Sequence, residues 1–209
     1  MGQILKFPVP ASKLGYKRVP KRGRKFEDPG QLQLFPQQVA QVLQFTSGLT
    51  PFEHALMLDE RGDPCAIQLY QKAIGEEDCA ADAYCNLGII ESNQGRTANA
   101  LDCFTNALKL NPRHSEAHYN LGNVYFEVND FRLAQIHYEL AAQIDPAFPN
   151  VYFNLGLVLS INKELAAAVK ALVQYQQMVP REEGEKADEL LKTLQKSLLV
   201  SRSTHAGPP

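Results

Sequence analysis

Tryptophan is absent, methionine occurs only three times, and cysteine four times in 209 residues. No run in the sequence approaches the roughly 20 apolar residues that a bilayer-spanning helix requires, so no membrane contact is expected. The start, MGQILKFP, places Lys6 where a myristoylation signal wants Ser or Thr, and it lacks the apolar stretch of a secretory leader. The expectation is a cytoplasmic protein. Cys65, Cys79, Cys85 and Cys103 show no two-residue spacing between them. They read as small, half-buried thiols rather than zinc ligands or disulfide partners. His114 and His118 stand four apart, but Asn111-Pro112 delays the helix until about Ser115, and no third ligand accompanies them. No nucleophile turn, phosphate-cradling glycine loop or paired-ligand spacing occurs, so neither a cofactor nor a metal nor catalysis is expected.

What the sequence does contain is a repeat of 34 residues. Asn86-Leu87-Gly88 recurs as Asn120-Leu121-Gly122 and Asn154-Leu155-Gly156, and Pro112, Pro146 and Pro180 close the three units. Ala66, Ala100, Ala134 and Ala168 keep the same step, with Tyr70, Phe104, Tyr138 and Leu172 four residues after each, so a worn fourth copy precedes the others. Each unit reads as two helices. Tyr84, Leu87, Gly88 and Glu91 fall at helical spacing, and Gly95 ends the run. Thr97 is expected to cap the second helix, Ala100, Phe104, Ala107 and Leu108 share one face, and Asn111-Pro112 terminates it. Gly88 and Ala100 leave room for the two axes to approach. In the worn copy, Pro51 opens a helix, Arg61-Gly62 ends it, and Asp63-Pro64 opens its partner, with a one-residue slip at Gly62. One unit alone leaves apolar faces bare, so the units must stack and be capped at the end.

The pattern Y-x-N-L-G followed by A, F, A and P at these offsets resembles the tetratricopeptide repeat over residues 47 to 180. Tyr84, His118 and Tyr152 stand at the aromatic position of the family, and Gly95, Asn129 and Lys163 at the interhelix turn. The resemblance implies an all-α, right-handed superhelical solenoid of helix-turn-helix repeats. The expected organisation is a disordered basic tail over 1–36, an array over 37–180 that begins with a lead-in helix, a capping helix over 181–200, and a flexible tail over 201–209. The cap is read from the stripe Ala187, Leu190, Leu191, Leu194 and Leu198.

Charge is unevenly divided although the net value is only −2. Eight cations, Lys6, Lys13, Lys17, Arg18, Lys21, Arg22, Arg24 and Lys25, precede the first acid, Glu27. Interleaved with Tyr16 and Phe26, they suit either a polyanion such as nucleic acid or an acidic protein surface, and equally a solubilising tail. Prolines and charge in this stretch leave too little apolar surface to order it. Next, Gln31, Leu32, Gln33, Leu34 and Phe35 resemble the short peptide with which bacterial proteins dock on the replication sliding clamp, with Gln33 replacing the preferred Ser or Asp. The competing reading has Leu32, Leu34 and Phe35 anchor the tail on the first helices.

The family resemblance also implies a concave groove lined by the first helix of each unit. In this sequence the inward positions are Asp82, Cys85, Asn86, Ile89 and Asn93, then Glu116, Tyr119, Asn120, Asn123 and Glu127, then Phe153, Asn154, Leu157 and Ile161. No lysine or arginine stands among them, which argues against a clamp for a peptide's terminal carboxylate. Tyr119, Phe153, Leu157 and Ile161 offer an apolar floor and Asp82, Glu116 and Glu127 an acidic rim. Asn86 is read as a bond between neighbouring repeats, while Asn120 and Asn154 remain open between that role and a peptide's backbone. The function expected is a non-catalytic scaffold that holds an apolar or basic peptide or helix. The alternative is a DNA-associated adaptor that uses the tail for phosphate and residues 31–35 for the clamp.

Overall fold

The structure is a computed structural model that describes residues 17–20 and 48–205. The expected lead-in helix over 37–46 and the segment 31–35 lie outside the described residues. Eight helices form four antiparallel pairs: α1 (Pro51–Glu60) with α2 (Cys65–Gly75), α3 (Ala80–Asn93) with α4 (Thr97–Leu110), α5 (Ser115–Glu127) with α6 (Phe131–Ile144), and α7 (Pro149–Ile161) with α8 (Leu165–Met178). Each second helix also packs on the first helix of the next pair. This is the expected all-α solenoid.

The same local chemistry makes every pair. At the turn inside each unit one residue takes the left-handed conformation: Gly62 (φ 71°), Gly95 (73°), Asn129 (63°) and Lys163 (65°). The following N–H closes back on the carbonyl five residues earlier, Asp63 to Leu58, Arg96 to Glu91, Asp130 to Tyr125 and Glu164 to Leu159, all at 2.8–2.9 Å. That is the double-turn closure which satisfies orphan carbonyls at a helix end. The slip read at Gly62 is real, since the left-handed residue arrives one position late relative to the 34-residue step.

Between units the chain breaks before proline. Asn111, Asp145 and Val179 are extended and precede Pro112, Pro146 and Pro180, as the proline ring demands of the residue before it. The side chains of Asn111 and Asp145 accept from the N–H two residues on, at 3.1 and 3.0 Å, and Asp63 does so to Cys65 at 2.9 Å. Thr97 does not cap α4 as expected, because it is already the first helical residue and Arg96 precedes it without a side-chain cap bond. At α1, by contrast, Thr50 and Glu53 form a reciprocal capping box.

Small residues set the separation of the paired helices. A Cβ on Gly88 would lie 2.7 Å from the Phe104 ring, one on Gly122 2.6 Å from Tyr138, and one on Gly156 2.6 Å from Leu172. Ala100, Ala134 and Ala168 are fully buried. At the far end α9 (Arg181–Gly184), a short 3-10 turn and α10 (Asp188–His205) cover α8, with Ala187, Leu191 and Leu194 buried against Leu172 and Tyr175. Helix α10 continues through His205, so residues 201–205, expected in a loose tail, are helical.

Candidate peptide-binding groove

The inner face of α1, α3 and α5 carries a short extended segment of the chain itself. Residues Lys17 to Pro20, expected to be a tail without fixed contacts, run across the array, so for these four residues the expectation is corrected. The Lys17 N–H donates to Asn120 Oδ1 (3.0 Å) and Asn120 Nδ2 donates back to the Lys17 carbonyl (3.1 Å). Two residues later the same exchange recurs: the Val19 N–H donates to Asn86 Oδ1 (2.8 Å) and Asn86 Nδ2 to the Val19 carbonyl (3.1 Å). A carboxamide offers a donor and an acceptor side by side, as a neighbouring β-strand would. In extended backbone, residues two apart present their N–H and C=O to the same side. One step of 34 along the array thus corresponds to one step of two along the ligand.

Side chains fix which segment lies there. Val19 is fully buried, in a cluster with Cys85, Ile89, Ala117 and Leu121. Arg18 reaches Asp59, with NH2 2.9 Å from Oδ1 and NH1 donating to the Asp59 carbonyl at 3.3 Å. Lys17 Nζ sits 3.7 Å from the centre of the Phe148 ring, a cation over an aromatic face. Asp59 is only 6% exposed and accepts from the Tyr70 hydroxyl at 3.2 Å. Its burial raises its pKa, Arg18 and Tyr70 pull it back down, and Glu60 adds a smaller rise. A buried carboxylate held this way is an unfilled demand for a cation whenever Arg18 leaves.

The remaining predicted groove residues divide by role. Asn86, read from the sequence as a bond between neighbouring repeats, does bond Tyr70 of the preceding unit and holds the segment as well. Asn120 likewise holds the segment and donates to Cys85 Sγ of the preceding unit at 3.4 Å. Asn154 serves the stack: its Nδ2 donates to the Tyr119 hydroxyl (3.2 Å) and to Asn123 Oδ1 (2.9 Å), which also accepts from Tyr138 (2.8 Å). Burial pushes the Tyr119 hydroxyl pKa up to about 12. Asp82 and Glu116 do not form an open acidic rim. They flank the buried His114, whose Nε2 is 2.9 Å from Asp82 and whose Nδ1 is 3.3 Å from Glu116 and accepts from the Ala117 N–H. Burial lowers the His114 pKa, but the two carboxylates outweigh it and the net shift is upward. Leu157 is buried, Phe153 packs on Tyr175 with ring centres 5.1 Å apart, and Asn93, Glu127 and Ile161 stand near the ends of their helices. Among the six cations assigned to a polyanion, Lys17 and Arg18 are engaged with protein, whereas Lys21, Arg22, Arg24 and Lys25 lie outside the described residues.

Sequence reasoning missed Asp59 and Phe148. Phe52, Ala55 and Asp59 share one face at spacings of three and four, which put an acid on a buried stripe; that was the available signal. It also missed the pair His118 and His137. His118 Nε2 donates to the Pro112 carbonyl (3.2 Å), which leaves its Nδ1, 3.1 Å from His137 Nδ1, to accept. His137 also stacks on Tyr125, and burial together with the charge of His118 pushes its pKa down to about 4. Among the described residues no three His, Cys, Asp or Glu side chains are placed to hold a metal, and no helix is long and apolar enough to cross a membrane.

Models of the tetratricopeptide repeat match residues 81–114 and 103–136. With the four-fold helix pairing, these matches identify the repeat. Residues 81–136 are tetratricopeptide repeats. Human tetratricopeptide repeat protein 6 is 32% identical over 84 residues, covering 40% of this chain and 16% of the relative. A probable UDP-N-acetylglucosamine–peptide N-acetylglucosaminyltransferase SPINDLY of Hordeum vulgare is 30% identical over 95 residues, 46% of this chain and 10% of that one. The chain therefore spans a sixth or less of these relatives. Among solved structures, the first tetratricopeptide domain of Spaghetti (RPAP3) bound to the HSP90 peptide SRMEEVD aligns at 21% identity and TM-score 0.53, over 57% of this chain and 93% of that one. The array thus shares that fold, while its inner face meets the backbone of its own Lys17 and Val19 with Asn120 and Asn86 and its own Arg18 with Asp59.

Proposed function

We propose that this tetratricopeptide array is a non-catalytic scaffold that holds an extended, basic and apolar protein segment in its concave groove. The observation that carries the reading is the paired exchange of four hydrogen bonds between Asn86, Asn120 and the backbone of Lys17 and Val19. An inner face built to satisfy extended backbone at a two-residue step is a peptide receptor in form, and the similar repeat structure bound to an HSP90 peptide supports the same use. The described ligand is extended, which favours a strand-like segment over a helix. A cytoplasmic location, expected from composition, belongs to the same proposal.

The test is a displayed library of short peptides selected on the full chain and on its Asn86→Ala/Asn120→Ala double variant. Peptides with a cation and a β-branched residue at the spacing of Lys17 and Val19 should be enriched on the former and lost from the latter. Equal recovery on both would overturn the reading. The tail-based alternative rests on sequence alone: phosphate contact through Lys21, Arg22, Arg24 and Lys25, and clamp docking through Gln31, Leu32, Leu34 and Phe35. DNA binding that weakens steeply with salt, or clamp binding lost in a Leu34→Ala/Phe35→Ala variant, would favour it.

A further inference from the structure

The ligand seen in the groove belongs to the chain itself, and its fit is that of a substitute for the partner rather than of a structural strap. A strap that only completes the fold would need buried side chains; here the backbone of two residues is matched as well, and each of three successive side chains meets a dedicated receiver. Lys17 meets Phe148, Arg18 meets Asp59, and Val19 meets the Cys85, Ile89 and Leu121 cluster. These receivers come from α1, α3, α5 and the start of α7, so the segment reads across all four repeats. Three of the four helix pairs close through the glycine and alanine contacts described above, none of which involves the segment.

We propose that Lys17-Arg18-Val19 is a built-in occupant of the groove, and that the chain's partner is a segment of the same class, a cation followed by Arg and a β-branched apolar residue, which binds by displacing it. This rests on the peptide-binding reading. Residues 21–47 join Pro20 to Gly48, so the occupant is covalently tethered to its own groove. Such linkage holds the segment at an effective concentration on the order of 1 mM. If the segment's own affinity is about 0.1 mM, a competing peptide binds about tenfold more weakly to the closed chain than to an opened one, from the ratio of these two concentrations. The chain is thereby selective as well as quiet: only a segment that meets Asp59 with Arg and fills the Val19 site better than the tether can displace it.

The experiment uses the full chain and, as probe, a labelled peptide of residues 15–21 with blocked ends. Its affinity is measured on the wild type and on a Lys17→Glu/Val19→Asp variant, in which the tether loses its ion–ring contact and its buried methyl groups while the groove keeps every receiver. The opened variant should bind the probe about tenfold more tightly, and adding Asn86→Ala/Asn120→Ala to it should abolish that binding. Sedimentation of the wild type should show a monomer. Equal affinity on the wild type and the opened variant would overturn the occupant while leaving the peptide-binding reading intact. No binding to either would overturn both. A dimer that dissociates in the opened variant would also overturn the proposal, because the segment would then serve a second copy instead of its own groove.

Discussion

Gly122→Ala adds a single methyl group, yet the geometry gives it a definite sign. The new Cβ would stand 2.6 Å from Cε1 and 2.7 Å from Cδ1 of Tyr138, roughly 1 Å inside the 3.5–4.0 Å at which carbon atoms attract one another. The ring has little freedom to retreat. It is fully buried, and its hydroxyl donates at 2.8 Å to Asn123 Oδ1, which also accepts from Asn154. Overpacking of this kind costs about 1–3 kcal/mol, and loss of the Tyr138 bond adds about 1 kcal/mol. Against these, alanine improves helix propensity over glycine by about 1 kcal/mol. The net expectation is a loss of about 1–3 kcal/mol, or roughly 2–12 °C in Tm for a chain of this size. Gly88→Ala meets Phe104 at 2.7 Å without a hydroxyl to lose, so it should cost about 1 kcal/mol less. Gly75 ends α2 with nothing within 4 Å of its added Cβ, and Gly75→Ala should stabilise by about 0.4–1 kcal/mol. Heat and urea melts followed by far-UV circular dichroism measure all three. A Gly122→Ala chain that melts at or above the wild type, or a Gly75→Ala chain that falls as far, would refute the account of how the helices are spaced.

Lys163 holds a left-handed conformation that costs a residue with a side chain about 1–2 kcal/mol; Lys163→Gly should therefore raise the urea midpoint, by a net of about 0.5–1 kcal/mol after the added freedom of the unfolded chain. Because burial raises the Asp59 pKa, its carboxylate detracts from stability as pH rises through that value. Asp59→Asn should hold or raise the melting temperature at neutral pH while the Arg18 contact is lost, and a drop in melting temperature would count against the buried-charge argument. His137 is kept neutral down to about pH 4 in the fold, whereas the unfolded chain takes up its proton near about pH 6.5. Stability should thus decline as pH falls from about 6.5 through about 4, and His137→Phe should flatten that decline in melts taken across the range. His114 acts in the opposite sense: its raised pKa contributes stability below about pH 6.5 that fades as pH rises through the folded value.

The sequence by itself determined the repeated elements, because each is a local event. A proline forces the residue before it to be extended, a glycine or Asn ends a helix, and Gly88, Gly122 and Gly156 recur wherever an aromatic ring or a leucine side chain must come close. Such rules act within a few residues, so a 34-residue step in the letters becomes a four-fold step in the helices, and even the slip at Gly62 was visible. The roles of three identical asparagines were not. All three bond the preceding unit, but Asn86 and Asn120 also hold the tail whereas Asn154 bonds Tyr119 and Asn123, and nothing in the Asn-Leu-Gly motif distinguishes them; what differs is the neighbour each meets across the stack. The basic tail was legible as charge, but composition could not say that Val19 finds an apolar site between α3 and α5, or that Arg18 finds a buried Asp59 more than forty positions away. Only the tertiary structure brings those groups together, because burial and pairing of this kind depend on distance in space and leave no periodic trace along the chain.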